Sequence, residues 1–218
     1  MSEDANPMEA HLQNALHVIE SAKGVDPTTL KSCAGVLLIS TKEKGLVFSV
    51  DRGTGVLLVN KKEGGWSSPI AVRLDAIGAG AVFGYAKKDV LICLRPESLQ
   101  KLLKGNSEVV LGWEMGFACG KTGGATGPDI SDRDRDGVTA TSLVYTFSQG
   151  ALVGIESVDG KIKTVPEANA AFYGEGVTLQ DIVTGKAAIP EGSPQAELIT
   201  SLQTKVDEVA NGKAKNRV

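Results

Sequence analysis

The stretch from residue 33 to residue 74 limits the fold more than any other part of the sequence. It contains four short apolar runs, and clusters of Lys, Glu, Asp, Asn and Gly separate them. Short apolar runs bounded by such clusters are typical of strands joined by tight turns. We therefore predict an antiparallel meander of four strands, against which the rest of the chain packs. The predicted strands are residues 35–39, 46–50, 56–59 and 66–72.

Helical patterns flank this meander on both sides. Residues 8–22 form one apolar stripe, and Asn6 followed by Pro7 suits the cap and first position of a helix. The polar face of this helix carries Glu and His rather than Lys and Arg, which favours docking on the domain over insertion into lipid. Residues 96–105 predict a middle helix, and a last helix is predicted from residue 193.

The second half of the chain predicts more strands and two short helices. Residues 139–147 and 151–157 are predicted to form a hairpin that turns at Ser148-Gln149-Gly150. Short helices are predicted at 166–173 and 178–182. The predicted fold class is therefore α+β, with an antiparallel, β-rich core that is a meander or barrel-like, and with flanking N-terminal, middle and C-terminal helices.

The length of 218 residues predicts one domain with a sizeable core. Its parts are an N-terminal helical segment at 1–26, the main domain at 27–185, and a linker with the last helix, packed on the same domain, at 186–218. No apolar run reaches 18 residues, and the first residues lack the basic and apolar regions of a secretory signal. The three cysteines contain no CxxC pair and are interpreted as reduced core thiols of a cytoplasmic protein.

The net charge of −3 hides a basic region. Residues 31–104 contain 12 Lys and Arg against 6 Asp and Glu, and both flanking regions are acidic. One interpretation is that these cations keep the rim of the sheet soluble; the other is that they form a surface for an anionic partner. The candidate binding residues lie in the predicted turns: Lys42, Lys44, Arg52, Lys61 and Lys62.

A second candidate site is a run of alternating aspartates. Asp132, Asp134 and Asp136, followed by Gly137, match the first half of a calcium-binding loop. The second half does not match, because Leu143 occupies the twelfth position, where a bidentate Glu is required. Calcium binding at these aspartates and a solvated, self-paired charged loop both stay open; no other cofactor is predicted.

The sequence offers no catalytic constellation. Both histidines lie in the predicted N-terminal helix, and no Ser or Cys lies in a nucleophile motif such as GxSxG. The glycines at 78, 80 and 84 do not have the spacing of a dinucleotide-binding loop. We therefore expect a binding protein rather than an enzyme.

Several short motifs occur together in one order along the chain. The most specific are Arg52-Gly53-Thr54-Gly55-Val56, then Trp66-Ser67-Ser68-Pro69, then the Asn169, Phe172, Tyr173 and Gly174 group. Weaker matches include Gly150 to Gly154 and Asp181-Ile182. Over about residues 27–185 the chain resembles the SYLF domain, a family found in actin-patch SH3 proteins, plant FYVE proteins and bacterial proteins.

The resemblance implies binding of phosphoinositides and other anionic phospholipids, and in some members binding of actin filaments. It implies no catalysis and no nucleic-acid partner. The chain departs from the family pattern at two places: Gly120-Lys121-Thr122-Gly123-Gly124 replaces GPxGR, and Gln149 replaces a basic residue.

The leading hypothesis is a non-enzymatic module for anionic phospholipids at a membrane surface, cytoplasmic and peripheral. The alternatives are a module for actin filaments or another protein, and a small-ligand or calcium-dependent binding protein. Because alternate turns of a meander share one end, we predict Lys42 and Lys44 beside Lys61 and Lys62, with Arg52 at the opposite end.

Overall fold

The computed structural model describes residues 6–22, 24–45, 48–61, 63–80, 83–104, 109–115, 129–133, 139–153 and 156–213. Strand positions within 42–51, 76–88 and 109–160 are described by their backbone pairing. The helices are α1 Pro7–Ser21, α2 Pro27–Ser32, α3 Pro96–Leu103, α4 Pro166–Tyr173, α5 Leu179–Thr184 and α6 Pro194–Ala210. The strands are β1 Gly35–Gly45, β2 Phe48–Val59, β3 Ile70–Gly80, β4 Phe83–Leu94, β5 Val109–Met115, β6 Asp129–Arg133, β7 Thr139–Val153 and β8 Glu156–Thr164.

All strand pairs in the described residues are antiparallel. The strands are hydrogen-bonded in the order β1-β2-β3-β8-β5-β6-β7-β4, and β4 pairs back with β1 to close a barrel. The longest registers, of eleven pairs each, join β1 to β2, β1 to β4 and β4 to β7. The narrowest described join is between β5 and β6, where the register covers Leu111 with Asp132 and Gly112 with Ser131. The α+β prediction is confirmed.

The four-strand meander predicted from residues 33–74 is wrong in its boundaries. The predicted strands 46–50 and 56–59 are one strand, β2, so the predicted turn around Arg52 lies inside a strand. β1 likewise continues through Lys42 and Lys44 to Gly45. The predicted strand 66–72 begins only at Ile70. Charged residues at exposed positions of a strand have the composition of a turn, which explains the error.

The hairpin predicted to turn at Ser148-Gln149-Gly150 is also wrong. β7 passes through these residues, and Gln149 is the pairing partner of Lys87 on β4. The sequence pattern also predicts separate strands at 109–111 and 114–119, whereas in the structure β5 runs without interruption from Val109 to Met115. Long strands with polar residues inside them were therefore divided too often by the sequence pattern.

The helix predictions are confirmed at most positions. Asn6 caps α1, because its side-chain oxygen accepts a hydrogen bond of 3.0 Å from the backbone N–H of Met8, and Pro7 occupies the first turn. α1 ends at Ser21, one residue before the end of the predicted stripe at 8–22. α1 is docked on the domain, since one of its faces is buried against other elements. In the described residues, no helix combines the length and the hydropathy needed to span a bilayer.

The helices divide the apolar side chains into two cores on opposite faces of the strands. The first core joins the sheet to α1, α4 and α6 through residues such as Leu12, Leu38, Leu58, Phe172 and Leu202. The second core lies on the other face and is closed by α3 and α5; it includes Leu37, Ile39, Leu57, Leu74, Leu102, Ile162 and Ile182. Alternate residues of β1 and β2 therefore serve different cores, as strand geometry requires.

Candidate functional site

One end of the first-core face of the sheet is covered by α1. Val36 and Leu38 of β1 and Val56 and Leu58 of β2 are fully buried there and belong to the same cluster as the apolar face of α1. These positions alternate along each strand, so the residues farther along at the same parity lie on the same face. The strand register therefore determines which residues lie on the part of this face that α1 does not cover.

A polar boundary marks the place where α1 crosses the strands. Asn14 Nδ2 donates a hydrogen bond of 2.8 Å to Thr54 Oγ1. His17 Nε2 lies 3.1 Å from Oδ2 of Asp89, a β4 residue whose side chain is 0% exposed. His11 is buried, and its Nδ1 lies 2.8 Å from the carbonyl oxygen of Gly55. Burial lowers the pKa of His11, although its hydrogen bonds to backbone carbonyls oppose this shift.

Beyond this boundary, one line of paired residues crosses six strands. Arg52 is the partner of Lys42, and Lys42 is the partner of Lys87 on its other side. Residues directly opposite each other in antiparallel strands share a face, with neighbouring strands about 4.8 Å apart. The whole line runs Gln149, Lys87, Lys42, Arg52, Asp75 and Lys161.

A second line of paired residues, on β3 and β8, adds further cations to this face. Arg73 pairs with Lys163 in register, and the side chains of Arg52, Arg73 and Lys161 are exposed. The carboxylate of Asp75 lies 3.3 Å from Arg73 Nε, an ion pair open to solvent on both sides. We name the six positions the basic face; they are Lys42, Arg52, Arg73, Lys87, Lys161 and Lys163.

Like charges directly opposite each other destabilise a sheet, so the fold gains nothing from placing Lys42 between Arg52 and Lys87. An array of cations on neighbouring strands does, however, concentrate positive potential on one surface. Such a surface attracts phosphate or carboxylate groups of a partner, with a strength that salt reduces. The basic face is therefore a candidate docking surface for an anionic partner.

Residues 75–205 match the family described as "Ysc84: Las17-binding protein actin regulator". The matched part is more than half of the chain and contains Lys87, Lys161 and Lys163 of the basic face. The chain belongs to the Ysc84 family. This membership supports the resemblance to the SYLF domain stated from the sequence motifs.

Curated relatives of this Ysc84-family chain come from yeast and vertebrates. Protein YSC84 of Saccharomyces cerevisiae is 28% identical over 76% of this chain and 35% of its own length. LAS seventeen-binding protein 3 of the same species is 27% identical, over 76% of this chain and 36% of its own length. SH3 domain-containing YSC84-like protein 1 of Xenopus laevis is 24% identical over 85% of this chain and 55% of its own length.

The Ysc84-family chain thus spans about a third to a half of the length of these relatives. No solved structure matches the chain.

The five predicted cations are not grouped as expected. Lys42 and Arg52 are cross-strand partners, and Lys44 lies two residues farther along β1 on the same face. Lys61 is exposed, but it follows the far end of β2, where Val59 pairs with Gly35. The predicted grouping of Lys42 with Lys61 is therefore wrong, because it assumed a turn at Arg52. Lys62 lies outside the described residues.

Four cations of the basic face were missed by the sequence prediction: Arg73, Lys87, Lys161 and Lys163. A usable signal exists for three of them. Arg73 and Asp75 alternate with the buried Val72 and Leu74, and Lys161 and Lys163 flank the buried Ile162. Such alternation indicates strands with one solvated face. It does not indicate that these strands are neighbours of β2.

The aspartate run is only partly described. Asp132 lies in β6, where it pairs with Leu111 and Ala140 rather than lying in a loop. Asp134 and Asp136 are outside the described residues, so calcium binding by these aspartates stays a prediction. Among the residues that the structure describes, no group of three or more His, Cys, Asp or Glu side chains could hold a metal ion.

Proposed function

We propose that this chain is a non-enzymatic binding module that acts in actin regulation, and that the basic face is its docking surface. The observation that carries the proposal is the match of residues 75–205 to a family described as an actin regulator. One relative is named for binding LAS seventeen, as is the family itself, which supports a role in protein interaction. A cytoplasmic location remains a prediction.

The electrostatic contribution of the basic face supports this role. A Lys or Arg near an anionic surface contributes about 1 kcal/mol at moderate salt. The basic face has six cationic positions, and two acids lie within their register lines, Asp75 and the buried Asp89. A net of four charges would contribute roughly 4 kcal/mol, which corresponds to a dissociation constant of about 1 mM that rises further with salt.

Co-sedimentation with actin filaments tests the proposal. The variant is Arg52→Glu with Arg73→Glu and Lys161→Glu, which reverses three exposed charges of the basic face. We expect the wild-type chain to pellet with filaments at low salt, and the variant to bind at least about tenfold more weakly. Absence of wild-type binding at low salt would remove actin filaments as the partner.

A matched control separates the effect of the site from that of total charge. Arg95, Lys104 and Lys186 are exposed cations outside the basic face, at the ends of α3 and α5. Reversing all three to Glu changes the net charge by the same amount. We expect this control to bind filaments within about twofold of the wild type, because short-range contacts at one face dominate over net charge. Equal losses in both variants would show that the basic face is not the docking surface.

A second candidate partner is an anionic phospholipid surface. The observation that favours it is the line Lys87, Lys42 and Arg52 on three adjacent strands of the barrel, with strand spacing close to 4.8 Å. Headgroup phosphates at a membrane surface present closely spaced negative charges to which such neighbouring cations can bind. The predicted binding is electrostatic and therefore reversible by salt.

Liposome sedimentation tests this second candidate. Vesicles with and without a phosphatidylinositol phosphate are compared at low and high salt, with the same two triple variants. The gain variant is Gln149→Lys, which would extend the line of cations beside Lys87. We expect it to strengthen binding up to about fivefold. Binding to filaments with no binding to any vesicle would leave the actin role and remove the lipid role.

A further inference from the structure

A groove of about 810 Å³ lies on the molecule away from the basic face. Its walls come from the end of α2, the loop after β2, the start of α3 and the end of α6. Cys33 lines this groove together with Lys31, Lys61 and Trp66. Cys33 is half-buried, and it borders the space that a small solute in the groove would occupy.

A second thiol lies behind Cys33 in the protein interior. Cys93 is a β4 residue of the first core, only 4% exposed, and Cys33 packs against that core. The residues that follow the two cysteines are joined by a backbone hydrogen bond, because the N–H of Ala34 donates to the carbonyl of Leu94 at 2.9 Å. The Cys33 thiol also donates to the carbonyl of Leu30 at 3.1 Å. The side chains of the two cysteines lie close enough to interact with each other.

We propose that Cys33 and Cys93 form a redox-active pair, in which a hydroperoxide oxidises Cys33 from the groove and Cys93 then closes a disulfide. This inference goes beyond the proposed binding function and does not depend on it. Thiols that sense oxidants are accessible, readily ionised and placed next to a resolving cysteine. Cys33 lines the groove and is the thiol that an oxidant meets first, and the buried Cys93 lies next to it as the resolving cysteine.

The electrostatics of the pair assign the two roles. The hydrogen bond from Cys93 stabilises the Cys33 thiolate and lowers the pKa of Cys33. The same contact, together with burial, raises the pKa of Cys93, which therefore stays protonated as the donor. Since the thiolate is the nucleophile, Cys33 reacts first.

The chemistry balances in two steps. The Cys33 thiolate attacks one oxygen of the hydroperoxide, the O–O bond breaks, and with one proton the products are Cys33 sulfenic acid and water or an alcohol. Oxidation removes the negative charge of Cys33, which is one cause of the raised pKa of Cys93. The Cys93 thiol then gives its proton to the sulfenic oxygen while its sulfur attacks the sulfenic sulfur, so that the S–O bond breaks and water leaves. Two thiols have lost two electrons to the hydroperoxide, and a dithiol reductant reverses the change by exchange.

Mass spectrometry of the full chain after hydrogen peroxide treatment tests the proposal. Digestion with trypsin yields one peptide for each cysteine: 32–42 with Cys33, 89–101 with Cys93 and 105–121 with Cys119. The second peptide extends to residue 101 because trypsin does not cleave the bond between Arg95 and Pro96. We expect 32–42 and 89–101 to appear as one linked species lacking two hydrogen atoms, and dithiothreitol to separate them. The third peptide is an internal control for non-specific oxidation.

Two single variants check the order of events. In Cys93→Ala the expected product is a persistent Cys33 sulfenic acid, which dimedone traps; in Cys33→Ser the peptide 89–101 should stay reduced. The measurement on the wild type is decisive even if a variant folds poorly. Oxidation of Cys33 to sulfinic acid without linked peptides, linkage of either cysteine to Cys119, or a disulfide only between two chains would overturn the proposal.

Discussion

The two halves of one sheet face differ in what lies on top of them. Under α1, residues such as Leu38 and Leu58 are fully buried, whereas two to three rows farther along Arg52, Arg73 and Lys161 are open to solvent. Strand, parity and register are continuous between the halves. The difference shows that alternation decides which face a residue joins, and the position of a packed helix decides whether that face is core or binding surface.

The boundary between the halves is built from polar contacts of α1. Asn14, His17 and His11 contact Thr54, Asp89 and Gly55, respectively. We expect the cost of substitution to fall steadily from the covered half, through this boundary, to the basic face. Four predictions test this order of losses in the free energy of unfolding. A loss that does not follow the order would contradict the difference between the two halves.

The largest effect is expected at Gly55, below α1. A Cβ at this position would lie 1.8 Å from the carbonyl oxygen of Leu38, a clash with backbone that rotamer changes cannot relieve. Gly55→Ala should lower the free energy of unfolding by about 3 kcal/mol or more. The matched control is Gly35→Ala, whose nearest contact would be 3.1 Å, with an expected loss of about 1 kcal/mol. Urea denaturation of both variants measures the difference; equal losses would contradict it.

The next effect is expected at His17. Its imidazole Nε2 lies 3.1 Å from Oδ2 of the buried Asp89 carboxylate. His17→Ala should lower the free energy of unfolding by about 1–3 kcal/mol, because it leaves a buried acceptor without that partner. In an Asp89→Asn background the same change should lose clearly less. A double-mutant cycle measures the coupling, and a coupling near zero would argue against the contact.

A smaller, pH-dependent effect is expected from His11. Burial lowers its pKa in the folded state, so below its usual value of about 6.5 the unfolded chain binds more protons. The contribution of His11 to stability is therefore present above that pH and is lost as the pH falls from 7 to 5, at no more than about 1.4 kcal/mol per pH unit. His11→Gln should flatten this part of the profile. An unchanged slope in that variant would contradict the prediction.

The smallest effect on stability is expected at the basic face. Arg73→Ala removes an ion pair with Asp75 whose two side chains are 53% and 47% exposed. Such pairs contribute between about 0 and 1 kcal/mol, so we expect the free energy of unfolding to change by less than about 0.5 kcal/mol while partner binding weakens. Thermal unfolding combined with the sedimentation assays checks both parts. A large loss of stability would mean that Arg73 is structural.

The helices and the family could be predicted from the sequence because their signals are local. Asn6 and Pro7 begin α1 with contacts inside one turn. The motif residues that carry the resemblance turn out to have structural roles. Asn169 accepts a hydrogen bond from the N–H of Ala71, and the Tyr173 hydroxyl donates to the carbonyl of Pro69. These contacts hold α4 against the start of β3, so these two motif residues identify the fold, whereas Arg52 of the first motif lies on the basic face.

The basic face could not be predicted, because its members are neighbours only through long-range pairing. Lys42 meets Lys87 across β1 and β4, and Arg52 reaches Lys161 through β3 and β8. Local composition cannot distinguish an exposed strand position from a turn, which is why Arg52 was assigned to a turn. The five predicted cations therefore included two of the six positions that the register brings together, Lys42 and Arg52.

The pairing of β1 between β2 and β4 has a practical consequence for anyone dissecting this protein. A fragment cut at the limits of the family match, 75–205, would lack β1 and β2, and so would leave β4 without a neighbour on one side. It would also lose Asp207, whose carboxylate accepts a 2.9 Å hydrogen bond from the Trp66 indole. The smallest piece that can be handled as a unit therefore begins before α1 and ends after α6.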